Sequence, residues 1–475
     1  METVTMNNLK KSINLIEGII WKQILFFTLP LLGSNLIQQL YNTVDLIFVG
    51  NCLGKEATAA VGASSLIVIC LVGFFTGMSV GASVVIANIV GSGKKEKLKY
   101  AIHTAIGLSF LGGIVLFIIG YIGAPYFLKW MNVPGEILKS AVSYIRIYFL
   151  SLISIITYNM GSGIIRAMGN SKTPMYIQLF GGIVHVLMDA LFISIFQNGV
   201  NGVAWATLLS QTVTAVLILY YLTHLEGEYR LQFRKIRIHK EILLPILKIG
   251  IPSGLQSTVI TLSNVFAQYY INSLGVNAIV AFTAYFKVEL PVYLPIVAFG
   301  QAITTFSGQN VGAGNIERVK KGAKVCILMG IGVTIVSSTL LLIFGHQAFE
   351  IFNHDSVVID YGIRIISTSF PFYWVYVVLE VLGDTIRGAG KATPPMAIIL
   401  SNICILRIIL LFTIMHFYHD VRGVAITYPI TWATTALCMA FYYLKGNWAK
   451  KLGTSPTLVE DGGVSNGSDR IKIFK

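Results

Sequence analysis

Four side chains that can bind a proton or a small cation lie in apolar stretches of the N-terminal half: Asp45, His185, Asp189 and Thr207. A charged side chain inside a membrane is costly, and it is therefore a functional candidate by default. His185 and Asp189 are four residues apart, which puts both on one face of a helix. Like charges at one level in a low dielectric favour keeping a proton near neutral pH. The set therefore predicts a site for a proton or a small hard cation.

The elements that carry these residues are long apolar runs. Charged residues are 12% and hydrophobic residues 55% of the 475 residues, whereas soluble chains carry about 25% charged residues. A membrane helix needs about 20 mainly apolar residues, and the run lengths favour helices over barrel strands. The sequence predicts an all-α polytopic membrane protein with twelve transmembrane helices, at residues 22–48, 57–89, 98–123, 137–160, 174–196, 199–223, 245–271, 278–306, 319–345, 357–385, 394–416 and 421–444.

Basic residues indicate the orientation, because they concentrate in every second connection. Lys94–Lys99 follow the second span, Arg230–Lys240 the sixth and Arg318–Lys324 the eighth. Positively charged loops stay in the cytoplasm, so we expect a multi-pass protein of the cell (inner) membrane with both termini cytoplasmic. The formal net charge of +14 then reflects orientation, and we expect no nucleic-acid partner.

The two halves of the chain repeat. Val90–Gly93 recurs as Val311–Gly314, and Ile164–Gly169 recurs as Thr385–Gly390, both 221 residues later. A duplicated unit of six helices inserts twice in the same orientation, so we expect two six-helix bundles related by a pseudo-twofold axis along the membrane normal. The predicted division is an N-terminal lobe at 1–223, a basic cytoplasmic linker at 224–244, a C-terminal lobe at 245–445 and a polar cytoplasmic tail at 446–475.

Together these motifs resemble those of the multidrug and toxic compound extrusion (MATE) transporters. Pro30 precedes Asp45 by fifteen residues, and Gly163–Pro174 matches the turn G-x-x-R-x-x-G-x-x-x-T-P. The resemblance covers residues 15–445 and is greatest to the DinF-like branch. It implies a secondary antiporter that needs no cofactor, is not an enzyme and has H⁺ or Na⁺ as its coupling ion.

The family comparison also implies roles for the four side chains. DinF-like members use an Asp on the first helix, an Asn and an Asp one turn apart on the fifth, and a Thr on the sixth. Asp45, Asp189 and Thr207 match this pattern, whereas His185 stands in the place of the Asn. Because imidazole titrates near pH 6.5, this departure favours protons over Na⁺. The other branch places a Glu on the seventh helix, where this chain has no carboxylate.

Other intramembrane residues suggest a hinge and a substrate cavity. Proline bends a helix, and Pro30 is the predicted hinge of the first span. Glu289 and Glu380 are candidates for attracting a cationic substrate, or Glu289 pairs with Lys287 and Arg407 in a charge network of the second lobe. Aromatic rings and methionines bind flat organic cations, and the cavity candidates of this type are Tyr41, Met78, Phe286 and Phe299.

The sequence therefore predicts a monomeric antiporter that exports amphipathic, cationic organic compounds in exchange for inward H⁺ or Na⁺. Its expected partners are small-molecule substrates and membrane lipids. The first alternative is a lipid-linked saccharide flippase of similar two-lobed architecture, which would favour basic residues that face phosphate. The second is an intramembrane enzyme with His185 and Asp189 as metal ligands, which would need a third ligand such as His103.

Overall fold

Long apolar helices make up the protein. The computed structural model describes residues 13–48, 54–131, 133–196 and 199–449, and at a few helical positions, Asp45 among them, it describes the backbone alone. In these ranges all regular structure is helical. Twelve helical segments there are long and apolar enough to cross a membrane. The predicted class, an all-α membrane protein with twelve spans in two lobes, is confirmed.

Six long helices form the first lobe, and a short π-helical turn at Ala190–Ile195 extends the fifth. Their bounds are α1 Ile20–Phe48, α2 Gly54–Gly91, α3 Lys95–Trp130, α4 Gly135–Ala167, α5 Lys172–Asp189 and α6 Gly199–Thr223.

The second lobe repeats this order with more interruptions. Its helices are α7 Lys240–Ser273, α8 Val276–Val288, α9 Leu290–Gly312, α10 Ile316–Ile343, α11 Gly345–Glu350, α12 Ser356–Ser369, α13 Tyr373–Gly388, α14 Thr393–Ile399, α15 Arg407–Phe417 and α16 Val421–Lys445. A 3₁₀ turn joins α12 to α13, and a π-helical segment at Leu400–Leu406 joins α14 to α15.

Proline explains two interruptions of the predicted spans. The predicted eighth span, 278–306, is two helices, because α8 ends at Val288 and α9 begins at Leu290. Pro291 and Pro295 have no N–H to donate to the preceding turn, and proline is tolerated best at the start of a helix. Pro371 lies in the 3₁₀ turn between α12 and α13 for the same reason.

Glycine lets the two lobes approach each other closely. Along α2, a Cβ at Gly77 would meet the backbone of Gly254, and a Cβ at Gly81 would lie 2.6 Å from the backbone nitrogen of Gly250. Residues without a side chain allow membrane helices to pack backbone to backbone. The α2–α7 contact therefore depends on glycine at these positions.

A second set of contacts between the lobes follows the sequence repeat. The Asn88 side-chain amide donates to the carbonyl oxygen of Gly388 at 3.5 Å, and that of Gln309 donates to the carbonyl oxygen of Ala167 at 2.8 Å. Asn88 and Gln309 are 221 residues apart, as are Ala167 and Gly388. We call this side of the protein, which carries the α2–α3, α4–α5, α9–α10 and α13–α14 turns, the basic face.

The α2–α7 contact gives a stability prediction. We expect Gly81→Ala to lower the apparent unfolding temperature of the purified protein in detergent, because the new methyl group requires a shift that costs about 1–3 kcal/mol. Gly332→Ala is the matched control, since a Cβ at Gly332 in α10 meets no atom within 4 Å. Alanine favours helix over glycine, so the control is expected to unfold no earlier than the wild type. Equal unfolding temperatures for the two variants would contradict the contact.

Candidate functional site: a polar cavity beside a buried His–Asp pair

A cavity of about 260 Å³ lies among α1, α2, α4, α5 and α6 and reaches α9 and α13 of the second lobe. Polar side chains dominate its wall. At one end it is lined by Tyr41, His185 and Thr207, and at the other by Arg166, Ser171 and Arg387. Ser171 and His185 are fourteen residues apart on α5, and a rise of 1.5 Å per residue places them roughly 20 Å apart.

Two adjacent glycines on α5 make room for Tyr41 of α1 and Thr214 of α6. A Cβ at Gly182 would overlap the Tyr41 ring, and a Cβ at Gly181 would overlap the Thr214 side chain. The Tyr41 hydroxyl donates to the carbonyl oxygen of Gln178. Its ring centroid lies 5.7 Å from that of His185. Tyr41 and His185 therefore lie side by side in the cavity wall.

Next to this ring, His185 and Asp189 form a buried pair. His185 is 3% exposed and Asp189 is fully buried. The Nε2 atom of His185 lies 3.5 Å from Oδ2 of Asp189, and its Nδ1 atom lies 3.0 Å from Oγ of Ser210. The helical spacing of four residues thus brings the two predicted site residues together. Only His185 lines the cavity, and Asp189 lies one turn beyond it.

The hydrogen bonds around His185 indicate where its protons lie. The Ser210 hydroxyl donates to the carbonyl oxygen of Thr207 at 3.0 Å, so its oxygen accepts from Nδ1–H of His185. This assignment follows from the network, as it must for hydrogen positions. In a neutral imidazole the Nε2 lone pair then faces the Asp189 carboxylate. A single cation between these atoms, either a proton on one of them or a metal ion, relieves the repulsion.

The other predicted members of the ion site have different environments. Thr207 lines the cavity, and its hydroxyl donates to the carbonyl oxygen of Val203 at 3.0 Å. The backbone of Asp45 lies in α1, one turn beyond Tyr41, while its side chain lies outside the described residues. Pro30 is buried within α1, which continues as one helix through this position.

The charge network predicted for the second lobe takes another form. Glu289 accepts a hydrogen bond from the Tyr373 hydroxyl at 2.5 Å. Arg407 lies over the Tyr428 ring, 4.5 Å from its centroid, and donates to Thr431 at 3.4 Å. Over the described ranges, neither Lys287 nor Arg407 forms an ion pair with Glu289. Glu289 and Arg407 therefore contact hydroxyl groups and an aromatic ring, where the sequence analysis predicted contacts between charged side chains.

Most side chains predicted for the cavity lie elsewhere in this structure. Tyr41 lines it, but Met78, Phe286, Phe299, Glu289 and Glu380 are not among its lining residues. Met78 packs against Gly250 between the lobes. Phe299 is buried in the core of the second lobe, and Phe286 packs against that core. Glu380 lies against Gly300 on α9.

The sequence prediction missed three polar residues that shape the site. Ser210 has no signal of its own, because serine is common in membrane helices. Arg166 and Arg387 line the cavity, although the sequence analysis treated them only as part of the repeated turns. Their recurrence at one position of both repeats was the available signal. His103, the proposed third metal ligand, instead accepts the backbone N–H of Gln232 in the linker at 3.1 Å.

Comparison with known proteins supplies the family. The sequence profile of the MatE family matches residues 30–191 and again 252–413, which is more than half of the chain. The chain belongs to the MatE family. A MatE chain is a transporter rather than an enzyme, and the two matches coincide with the duplicated halves.

Relatives in the MatE family are similar over almost their full lengths. The probable multidrug resistance protein YoeA of Bacillus subtilis is 27% identical over 442 residues, which cover 91% of this chain and 95% of YoeA. The probable multidrug resistance protein YpnP of the same organism is 27% identical over 451 residues, 94% of this chain and 99% of YpnP.

Solved structures share the MatE fold. An outward-facing multidrug resistance MATE family transporter superposes with a TM-score of 0.87 at 24% identity, over 93% of this chain and 99% of its own. A MATE structure in a bent conformation gives a TM-score of 0.86, also at 24% identity, over 92% of this chain and 98% of its own. At this identity the likeness shows the fold alone. Assignment to the DinF-like branch stays a prediction.

The buried pair predicts non-additive mutations. We expect His185→Leu alone to destabilise the protein strongly, because it takes the imidazole away from the buried Asp189 carboxylate. Adding Asp189→Leu should recover part of the loss, with a coupling of about 0.5–3 kcal/mol. Unfolding of the four proteins of this double-mutant cycle in detergent measures the coupling. Strictly additive losses would mean that the two side chains do not interact.

Proposed function

We propose that this MatE chain exports amphipathic organic cations across the cell membrane in exchange for inward protons, with Na⁺ as the alternative coupling ion. The basic face is proposed to be cytoplasmic, with both termini on that side. The chain is proposed to act as a monomer. The observation that carries the proposal is the buried His185–Asp189 pair, which adjoins the cavity and whose geometry favours one cation between Nε2 and Oδ2.

Exchange follows from the charge of this pair. When the shared proton leaves, a net negative charge remains next to Tyr41 and attracts an organic cation into the cavity. When a proton returns, the pair is neutral and the electrostatic attraction for the cation is lost. Proton and substrate thus compete through charge, and a ligand shifts a transporter between states only by such differential interaction. Asp45, on the same helix as Tyr41, is proposed to complete the site.

Movement of α1 is the proposed link between the site and the opening of the cavity. Tyr41 binds α1 to α5 through the Gly182 notch, and Pro30 removes one backbone hydrogen bond from the middle of α1. A change at His185 that displaces Tyr41 would bend α1 at Pro30. The cavity volume of about 260 Å³ lies just below the range of about 300–1,000 Å³ for drug-sized ligands, which is consistent with such a movement.

The two glutamates of the second lobe are proposed to attract substrate when the cavity widens. Glu380 lies against α9, which contributes Gln301, Thr304 and Thr305 to the cavity wall. A cation that moves past α9 would meet its carboxylate. The flippase alternative has less support, because the His185–Asp189 pair adjoins one end of the cavity and, of the two arginines at the other end, Asp384 neutralises Arg387.

The first functional prediction concerns the two aspartates. Asp45→Asn and Asp189→Asn should each reduce efflux of a fluorescent organic cation from proteoliposomes, driven by a pH gradient, to less than about one tenth of the wild-type rate. The amide cannot carry the exchanged proton. Asp360→Asn is the control, since Asp360 is exposed and pairs with Arg364 at 2.8 Å. If both variants transported like the control, the proposed coupling site would be wrong.

The second functional prediction concerns the identity of the ion. His185→Asn restores the residue that DinF-like members carry, and an amide oxygen suits a hard cation better than imidazole does. We expect wild-type efflux to respond to a pH gradient, and the variant to respond more strongly than the wild type to an imposed Na⁺ gradient. Parallel assays with each gradient alone measure the change. Wild-type efflux that follows Na⁺ alone would contradict proton coupling.

A further inference from the structure

The end of the cavity opposite His185 is lined by arginine and uncharged polar side chains. We call it the guanidinium end and define it by Arg166, Arg387, Ser171, Asn35 and Gln301, all of which line the cavity. These residues come from α1, α4, α9, α13 and the turn before α5. The arrangement thus joins both lobes near the basic face.

The two arginines are repeat equivalents with different partners. Arg387 forms an ion pair with Asp384 and donates to Oε1 of Gln256 at 2.9 Å. The residues 221 positions before Asp384, Gln256 and Arg387 are Gly163, Asn35 and Arg166. Glycine therefore stands in the first lobe where the second lobe has the carboxylate. In the described part of the chain, Arg166 forms no ion pair.

Contacts at the end of α4 use only one of the hydrogen-bond donors of the Arg166 side chain. Arg166 lies in the last turn of α4, where a cation is favourable, and its Nε atom donates to the carbonyl oxygen of Ser162 at 3.3 Å. The two Nη groups have no such bond in the described residues. Because Arg166 lines the cavity, these four N–H donors are available to a ligand.

Three further polar atoms of this end lack a protein partner in the described structure. They are Nδ2 of Asn35, Oγ of Ser171 and Oε1 of Gln301, all buried. Ser171 is 2% exposed. A buried polar group without a partner costs about 1–3 kcal/mol, so several together indicate a ligand site. Two of the three can donate a hydrogen bond, and the amide of Gln301 can do so after a flip.

We propose that the guanidinium end binds the carboxylate of an amphipathic substrate. The inference rests on the proposed function, because it assigns a second subsite of the same cavity. Arg166 provides a bidentate contact to a carboxylate, and Ser171 and Asn35 add single hydrogen bonds.

A matched pair of dyes tests the subsite by equilibrium binding to the purified full chain in detergent, with no ion gradient. The probes are a cationic rhodamine methyl ester and the same rhodamine with a free carboxylate. In the wild type we expect the free acid to bind at least as tightly as the ester. Arg166→Gln should weaken binding of the free acid by about tenfold or more and leave the ester within about twofold. Arg166→Lys should restore part of the affinity.

Two further variants separate this subsite from other effects. Arg146→Gln is the control, since Arg146 lies on the same helix, does not line the cavity, and donates to the carbonyl oxygen of Tyr121 at 3.1 Å. It should bind both dyes like the wild type. Asp189→Asn should still bind the free acid through Arg166, so a protein that fails to transport can still support the subsite.

Three results would overturn the proposal. The first is a wild type that does not bind the free acid. The second is an equal loss of both dyes in Arg166→Gln, which would indicate a structural role. The third is displacement of the free acid by a prenyl diphosphate at a lower concentration than the dissociation constant of the dye. That result would assign the arginines to a lipid diphosphate instead of a carboxylate.

Discussion

The account depends on a carboxylate that has been taken entirely out of water. Asp189 is fully buried, and an isolated charge at such a position costs several kcal/mol unless a partner compensates it. The imidazole of His185 provides that compensation at 3.5 Å, and Ser210 fixes the orientation of the ring. Because we propose that one cation is shared between the two side chains, the requirement for stability is also the proposed means of coupling.

The duplicated architecture explains why a single lobe carries this site. Arg407 in the second lobe contacts Thr431 and Tyr428, which lie 221 residues after Ser210 and Thr207. A fixed guanidinium thus occupies the region that corresponds to the titratable pair. Near the basic face the two lobes differ in another way. The second lobe has the Arg387–Asp384 ion pair, whereas Arg166 of the first lobe has no carboxylate partner in the described residues. Divergence of two equal halves has produced a cavity with an acidic and a basic end.

Much of this could be predicted from the sequence, because lipid imposes simple rules. Apolar run length gave the twelve spans, and helical spacing placed His185 beside Asp189. The rest depends on three-dimensional contacts without a periodic signal. The Gly182 notch that holds Tyr41 has no distinctive pattern among the many glycines of the membrane helices. The helix break at Glu289 lies within a continuous apolar run, so run length alone could not locate it. Arg166 became a candidate ligand only once the structure showed which polar residues surround it in the cavity wall.

Proton release on substrate binding tests the central claim most directly. An organic cation is added to the purified protein in weakly buffered detergent solution near neutral pH, and a pH indicator follows the free protons. Competition at the His185–Asp189 pair predicts release of up to about one proton per bound cation, by thermodynamic linkage, and almost none from Asp189→Asn. Cation binding to the wild type without proton release, or equal release from the variant, would contradict the account.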